Sequence, residues 1–303
     1  MSGFLMAHFI GEQEHGEQVY FAVSRDGLHW KDLSPEPILR STIGEAGVRD
    51  PFMIKCPQTG TYYLIATDLR IGAGKGWDTA QYRGSKDLIV WESKDLINWG
   101  HARSCRVAVD EAGCAWAPES IYDNTRQEFF VFWASMVKLD GDTAPQQRIY
   151  GSYTKDFTSF SEPFIYAEAE NHVIDMNIIY ENGWYYRFVK DESTKRVLMD
   201  KIKQLDDKNP IAIPVEALYD LVIEGPQTYQ LPDGSWCLIV DQFGAGKGYL
   251  PLICKNLDSG DFKIVAEHEY DLGKLKKRHG SVIQISKDEL TRLTNAFGAK
   301  TIS

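Results

Sequence analysis

The chain has 303 residues, 43% hydrophobic and 25% charged, enough apolar content for a sizeable core in a soluble protein. A formal net charge of -10 excludes partners that need a basic face, namely nucleic acid and anionic membrane surfaces. Five cysteines, odd in number and without a CxxC pair, indicate neither a disulfide framework nor a zinc site.

The N-terminal stretch, MSGFLMAHFIGEQEHGE, has no basic start, and its apolar run breaks by Gly11. That is too short for a signal peptide or a membrane span, so a strand and a cytoplasmic location are expected. Strand-like runs then follow in order: QVYFAVS (18–24), TYYLIAT (61–67), EFFVFWAS (128–135), WYYRFV (184–189) and SWCLIV (235–240). They are rich in β-branched and aromatic residues and bounded by turn residues. Two glycine-rich loops, GAGKGW (72–77) and GAGKGY (244–249), resemble phosphate-binding loops but lack the full GxxxxGK[ST] pattern. Neither is expected to lead into a helix. One short helix is predicted near the C-terminus, around residues 287–296.

Two phrases repeat. SRDGLHW (24–30), SKDLINW (93–99), TKDFTSF (154–160) and NLDSGDF (256–262) each place an Asp in a turn ahead of an aromatic residue. A second phrase sets an acidic residue or a His before an apolar strand, at Asp50, Glu119, Asp175, Glu224 and His279. The intervals are 69, 56, 49 and 55 residues. A period of that length, with about four strands per unit, marks a β-propeller blade. The sequence therefore predicts an all-β, five-bladed β-propeller over 1–303 as a single domain. The unit starting at His279 is too short to finish a blade, so the N-terminal strands are expected to complete it and close the ring.

In a propeller the first strand of each blade lines the axis, so these five residues should converge there. Asp50, Asp175 and Glu224 then form a set suited to hydrolysis of a glycosidic bond. One carboxyl gives a proton to the leaving oxygen and an ionised one activates water. A third raises the acid's pKa by like-charge repulsion.

With VRDP (48–51), WAPES (116–120), VID (173–175), IEGP (223–226) and RHGS (278–281) in this order at blade spacing, the chain resembles glycoside hydrolase family 43 over essentially its full length. The resemblance implies an inverting five-bladed propeller enzyme that needs no cofactor for its chemistry. It makes Asp50 the general base, Glu224 the general acid and Asp175 the carboxylate that tunes and orients the acid. Inversion sets the two working carboxyls about 6.5–9.5 Å apart. His279 matches a histidine that contacts, through water, a structural calcium or another cation. Met176 and Glu119 depart from residues common in the family, and Glu119 is given no catalytic role. Trp77 and Trp116 are candidate walls for a sugar ring, and Arg278 a contact for a hydroxyl or a catalytic carboxylate.

The activity implied is an exo-acting α-L-arabinofuranosidase on short arabino- or arabinoxylo-oligosaccharides, in hemicellulose degradation. β-Xylosidase, galactofuranosidase or exo-galactanase activity is the nearest alternative, and a non-catalytic sugar-binding propeller the rival of another class. Retaining fructan hydrolases need an Asn-Asp-Pro phrase that is missing before Asp50. Propeller phosphorylases need clustered basic residues, which the sequence does not show clearly.

Overall fold

A computed structural model describes residues 3–298. Among the described residues, twenty strands form five four-stranded antiparallel sheets arranged as the blades of a β-propeller. The N-terminal strands are β1 (Gly3–His8), β2 (Tyr20–Ser24) and β3 (Trp30–Asp32). The first complete blade holds β4 (Val48–Lys55), β5 (Tyr62–Asp68), β6 (Asp87–Ser93) and β7 (Arg103–Arg106). The second holds β8 (Trp116–Asp123), β9 (Glu128–Val137), β10 (Gln146–Thr154) and β11 (Phe164–Ala167). The third holds β12 (Val173–Glu181), β13 (Trp184–Asp191), β14 (Arg196–Ile202) and β15 (Ile211–Ile213). The fourth holds β16 (Glu224–Gln230), β17 (Trp236–Asp241), β18 (Tyr249–Cys254) and β19 (Lys263–Ile264). In the fifth, β20 (Gly280–Ile285) is the inner strand, and it pairs with β1, then β2 and β3. The two ends of the chain thus share one sheet, and the ring closes as the repeat predicts.

The apolar runs are continuous rather than alternating because each middle strand is buried on both faces. On β1, Leu5 and Ala7 pack toward the first blade while Phe4 and Met6 pack toward the fourth. On β9, Phe129, Val131 and Trp133 face one neighbour, and Phe130, Phe132 and Ala134 the other. The period of two is still present, but both phases are hydrophobic.

The repeated Asp phrase forms the turn between the third and fourth strands of a blade. Asp26 Oδ1 accepts from the backbone N of Leu28 and His29 at 2.9 and 2.8 Å, and Asp95 Oδ1 does the same for Ile97 and Asn98 at 2.9 and 2.7 Å. This is the Asx device that lets a short carboxylate stand in for backbone acceptors. The fourth instance differs: Asn256, not Asp258, accepts the turn's N–H.

Two short helices accompany the strands. α2 (Lys287–Phe297) matches the predicted C-terminal helix and opens with Ser286 accepting from Glu289 N in a capping box. The other corrects the sequence reading: GAGKGW does lead into a helix, α1 (Trp77–Arg83). It has two turns and one buried residue, Ala80, too little for a 3.6-residue period to register. The second loop runs directly into β18. Among the described residues, no helix is long and apolar enough to cross a membrane.

Inside the ring a polar layer lies along the axis. Asn177 Nδ2 donates to Glu119 Oε2 at 2.7 Å, and Asn177 Oδ1 accepts from Thr228 N at 3.1 Å. Glu119 is buried, and burial raises its pKa to about 8, against smaller lowering by Asn177 and His279. Its folded value therefore exceeds the unfolded one, and the stability it contributes is lost as pH rises toward 8. Glu119→Gln, which mimics the protonated acid, should gain stability over the parent progressively from pH 5 to 9. Thermal unfolding curves that stay parallel across this range would contradict that ionisation.

Candidate active site

The inner strands carry the site because of a shared distortion at their mouths. In four of them the ladder to the second strand slips, between Arg49 and Phe52, Trp116 and Glu119, Ile174 and Asn177, and Glu224 and Gln227. Each slip contains a residue with left-handed backbone: Asp50 (φ 52°), Ala117 (φ 48°), Asp175 (φ 52°) and Gly225 (φ 54°). A bulge of this kind re-aims a side chain that a regular strand would send elsewhere. The fifth mouth, at His279, has no slip in its pairing with β1.

This register corrects the repeat as read from sequence. Asp50, Ala117, Asp175 and Gly225 are the equivalent positions. Glu224 stands one residue before its bulge residue, and Glu119 two residues after, deeper on the axis. The sequence phrases align the acidic letters; the backbone aligns the bulges.

All seven candidates come together nonetheless. Asp50, Asp175, Glu224, Trp77, Trp116, Arg278 and His279 line one cavity of about 460 Å³. At its floor His279 Nδ1 lies 3.4 Å from Asp50 Oδ1 and 3.8 Å from Asp175 Oδ2. A Cβ on Gly225 would come within 2.5 Å of the imidazole, so only glycine admits the ring here. Burial disfavours the imidazolium, but the Asp175 charge and the bonded Asp50 outweigh it and raise the His279 pKa to about 10.

The two aspartates part company. Burial pushes the Asp50 carboxyl up, yet the hydrogen bond and charge of His279, the Arg49 charge and a 2.8 Å bond from Thr67 Oγ1 bring it below its usual value. Thr67 is oriented for this by accepting from Ala117 N at 2.8 Å. Asp175 accepts from Gly225 N at 3.1 Å, and burial raises it to about 6, with Glu224 and Asp50 adding to the rise against His279 and Lys190. One carboxylate is thus poised as a base, and its neighbour titrates nearer neutrality.

Glu224 is held at both oxygens. Oε1 accepts from Arg278 Nη2 at 2.8 Å and Oε2 from Lys190 Nζ at 2.8 Å. Arg278 Nε also donates to the fully buried Asp241 at 2.5 Å, so the predicted contact of Arg278 with a carboxylate is present. Lys190 and Asp241 carry no motif in the sequence. They sit at the ends of second strands, β13 and β17, and reach the site only through blade convergence. Above them, Trp77 and Trp116 meet edge to face with centroids 6.0 Å apart. Arg49 stacks 5.0 Å from the Trp77 ring and pairs with the buried Glu17 at 3.1 Å. Trp77, 47% exposed, leaves its ring open to a ligand.

The His279 Nδ1 is turned toward the Asp50 and Asp175 carboxylates rather than toward open solvent. Among the described residues no group of three or more His, Cys, Asp or Glu side chains is placed to hold an ion.

Comparison with known proteins bears on the fold and the family. An α-L-arabinofuranosidase of Bifidobacterium longum is 26% identical over 292 residues, covering 80% of this chain and 27% of the relative, so the chain spans about a quarter of that protein's length. The arabinofuranosidase of Podospora anserina solved with cellotriose superposes with a TM-score of 0.52 at 16% identity, over 76% of this chain and 71% of that one. A thermostable family-43 glycoside hydrolase gives 0.53 at 16%, over 79% and 77%. At such identities these structures share the fold. Residues 1–291 match the model of a family described as "probable glycosyl hydrolase domain", related to family 43. The chain belongs to this glycoside hydrolase 43-related family.

Proposed function

We propose that the protein is an inverting, exo-acting α-L-arabinofuranosidase that releases arabinose from short arabino- or arabinoxylo-oligosaccharides. The observation that carries the reading is the single cavity lined by Asp50, Asp175 and Glu224 around His279. Asp50, held ionised, takes the proton of the attacking water. Glu224 gives a proton to the departing oxygen. Asp175, between them and His279, sets the charge balance of the pair. The arabinose assignment draws on the Bifidobacterium relative; the cavity volume suits a sugar unit with little beyond it.

Hydrolysis fits the site better than phosphorolysis. Each cation at the cavity wall is already paired with carboxylates: Arg49 with Glu12 and Glu17, Lys190 with Glu192 and Glu224, Arg278 with Glu224 and Asp241, and His279 with Asp50 and Asp175. A phosphate dianion would have to displace these partners. β-Xylosidase activity is the nearest alternative.

A panel of nitrophenyl glycosides separates the sugars: release from the α-L-arabinofuranoside is expected, and cleavage of the xyloside alone would replace the arabinose assignment. Asp50→Asn and Glu224→Gln should each lower turnover of oligosaccharide by about 10²–10⁴-fold with folding retained. Near-parental activity in either would remove its role. The raised Asp175 predicts an inflection of kcat/KM near pH 6. That inflection should vanish in Asp175→Asn; its persistence would assign it to another group.

A further inference from the structure

Glu224 cannot act as an acid while both its oxygens are engaged by cations, so one of the two has to leave when substrate binds. Arg278 is fixed by two bonds, Nε to Asp241 at 2.5 Å and Nη2 to Glu224 at 2.8 Å. A planar fork held at both prongs is the harder to move. Lys190 is a point charge on a flexible stem, and a second carboxylate already stands beside it. Glu192 Oε2 lies 2.6 Å from Lys190 Nζ and Glu224 Oε2 2.8 Å, so the ammonium already bridges both carboxylates. Lys195 pairs with the other Glu192 oxygen and keeps the side chain at the wall. The Phe243 ring, 4.3 Å from Lys190 Nζ, favours a cation at this point of the wall.

We infer that Lys190 is a positioning residue that holds Glu224 Oε2 before substrate binds and draws back onto Glu192 alone when the leaving oxygen of the substrate arrives. This rests on the hydrolase reading above. Lys190 keeps its three protons, gives up the Glu224 oxygen and retains Glu192. Glu224, freed at Oε2, takes a proton from solvent and gives it to the leaving oxygen as the glycosidic C–O bond breaks. The attacking water loses its proton to Asp50 as the new C–O bond forms. The resting clamp keeps the acid oriented, and the hand-over ties its release to occupancy of the leaving-group side.

The experiment compares two substrates of one sugar: an oligosaccharide, whose alkoxide leaving group needs a proton, and the 2,4-dinitrophenyl glycoside, whose leaving group does not. Lys190→Met should lower kcat about 100-fold on the oligosaccharide and less than about tenfold on the activated glycoside, with KM nearly unmoved. Glu192→Gln, which removes the receiving charge, should show the same split. Equal losses on both substrates, or no loss on either, would overturn the hand-over and leave Lys190 a structural cation. Thermal unfolding of each variant separates this from misfolding. A parent protein that cleaves neither substrate would remove the hydrolase reading and the proposal with it, an outcome distinct from an active parent whose variants show no split.

Discussion

The structure turns on a buried charge balance at the narrow end of a five-sided well. Asp50, Asp175, Glu224 and Asp241 are brought together by the ring, and such a group of carboxylates out of water is costly unless cations answer them. His279 answers the first two, and Arg278 and Lys190 answer the others. Because the partners are shared, removing one residue shifts the charge balance of every group it touches. Each carboxylate's protonation then depends on where it stands in the network. Asp50 has a direct bond from Thr67 and the closer approach to His279; Asp175 has a single backbone donor and two like charges nearby.

The backbone accepts strain to build this network. Left-handed conformation at Asp50, Ala117 and Asp175 costs on the order of 1–3 kcal/mol at each residue, and only Gly225 among the four bulges adopts it freely. The cost recurs at the mouths of the inner strands, which suggests a device of the blade rather than of one catalytic residue. Ala117 shows this, since it has the distortion but no functional side chain. Its backbone N instead orients Thr67, and through Thr67 the Asp50 carboxylate.

Much of the architecture was legible because a propeller repeats. The spacing of the acidic phrases fixed the blade number, and the short last unit required closure by the N-terminal strands. Asp50, Asp175 and Glu224 were recoverable as letters at strand mouths, although their relative register was not. A bulge adds a residue without leaving a mark in composition, so Glu119 and Glu224 were aligned with Asp50 from which the backbone separates them. Lys190 and Asp241 were out of reach for a different reason. Their neighbours in sequence are strand residues of ordinary type, and their charge acquires meaning only when β13 and β17 swing alongside β16 and β20. Helix α1 escaped because its one buried residue gives no period.

Chemistry and selectivity occupy different parts of this fold. Asp50, Asp175 and Glu224 stand on inner strands, each paired with the second strand of its blade, and ring closure holds those strands around one axis. The walls come from connections after the second strands: α1 brings Trp77, the turn after β13 brings Glu192, and the loop after β17 brings Phe243. Such connections can change length and composition without disturbing the charge network below. A propeller axis can therefore keep one proton-transfer geometry while its upper rim is rebuilt for other sugars. Lys190 is where the two parts meet, since its stem belongs to a strand while its ammonium touches both the axial Glu224 and the rim residue Glu192. A residue in that place lets the rim report to the axis that a leaving group has arrived.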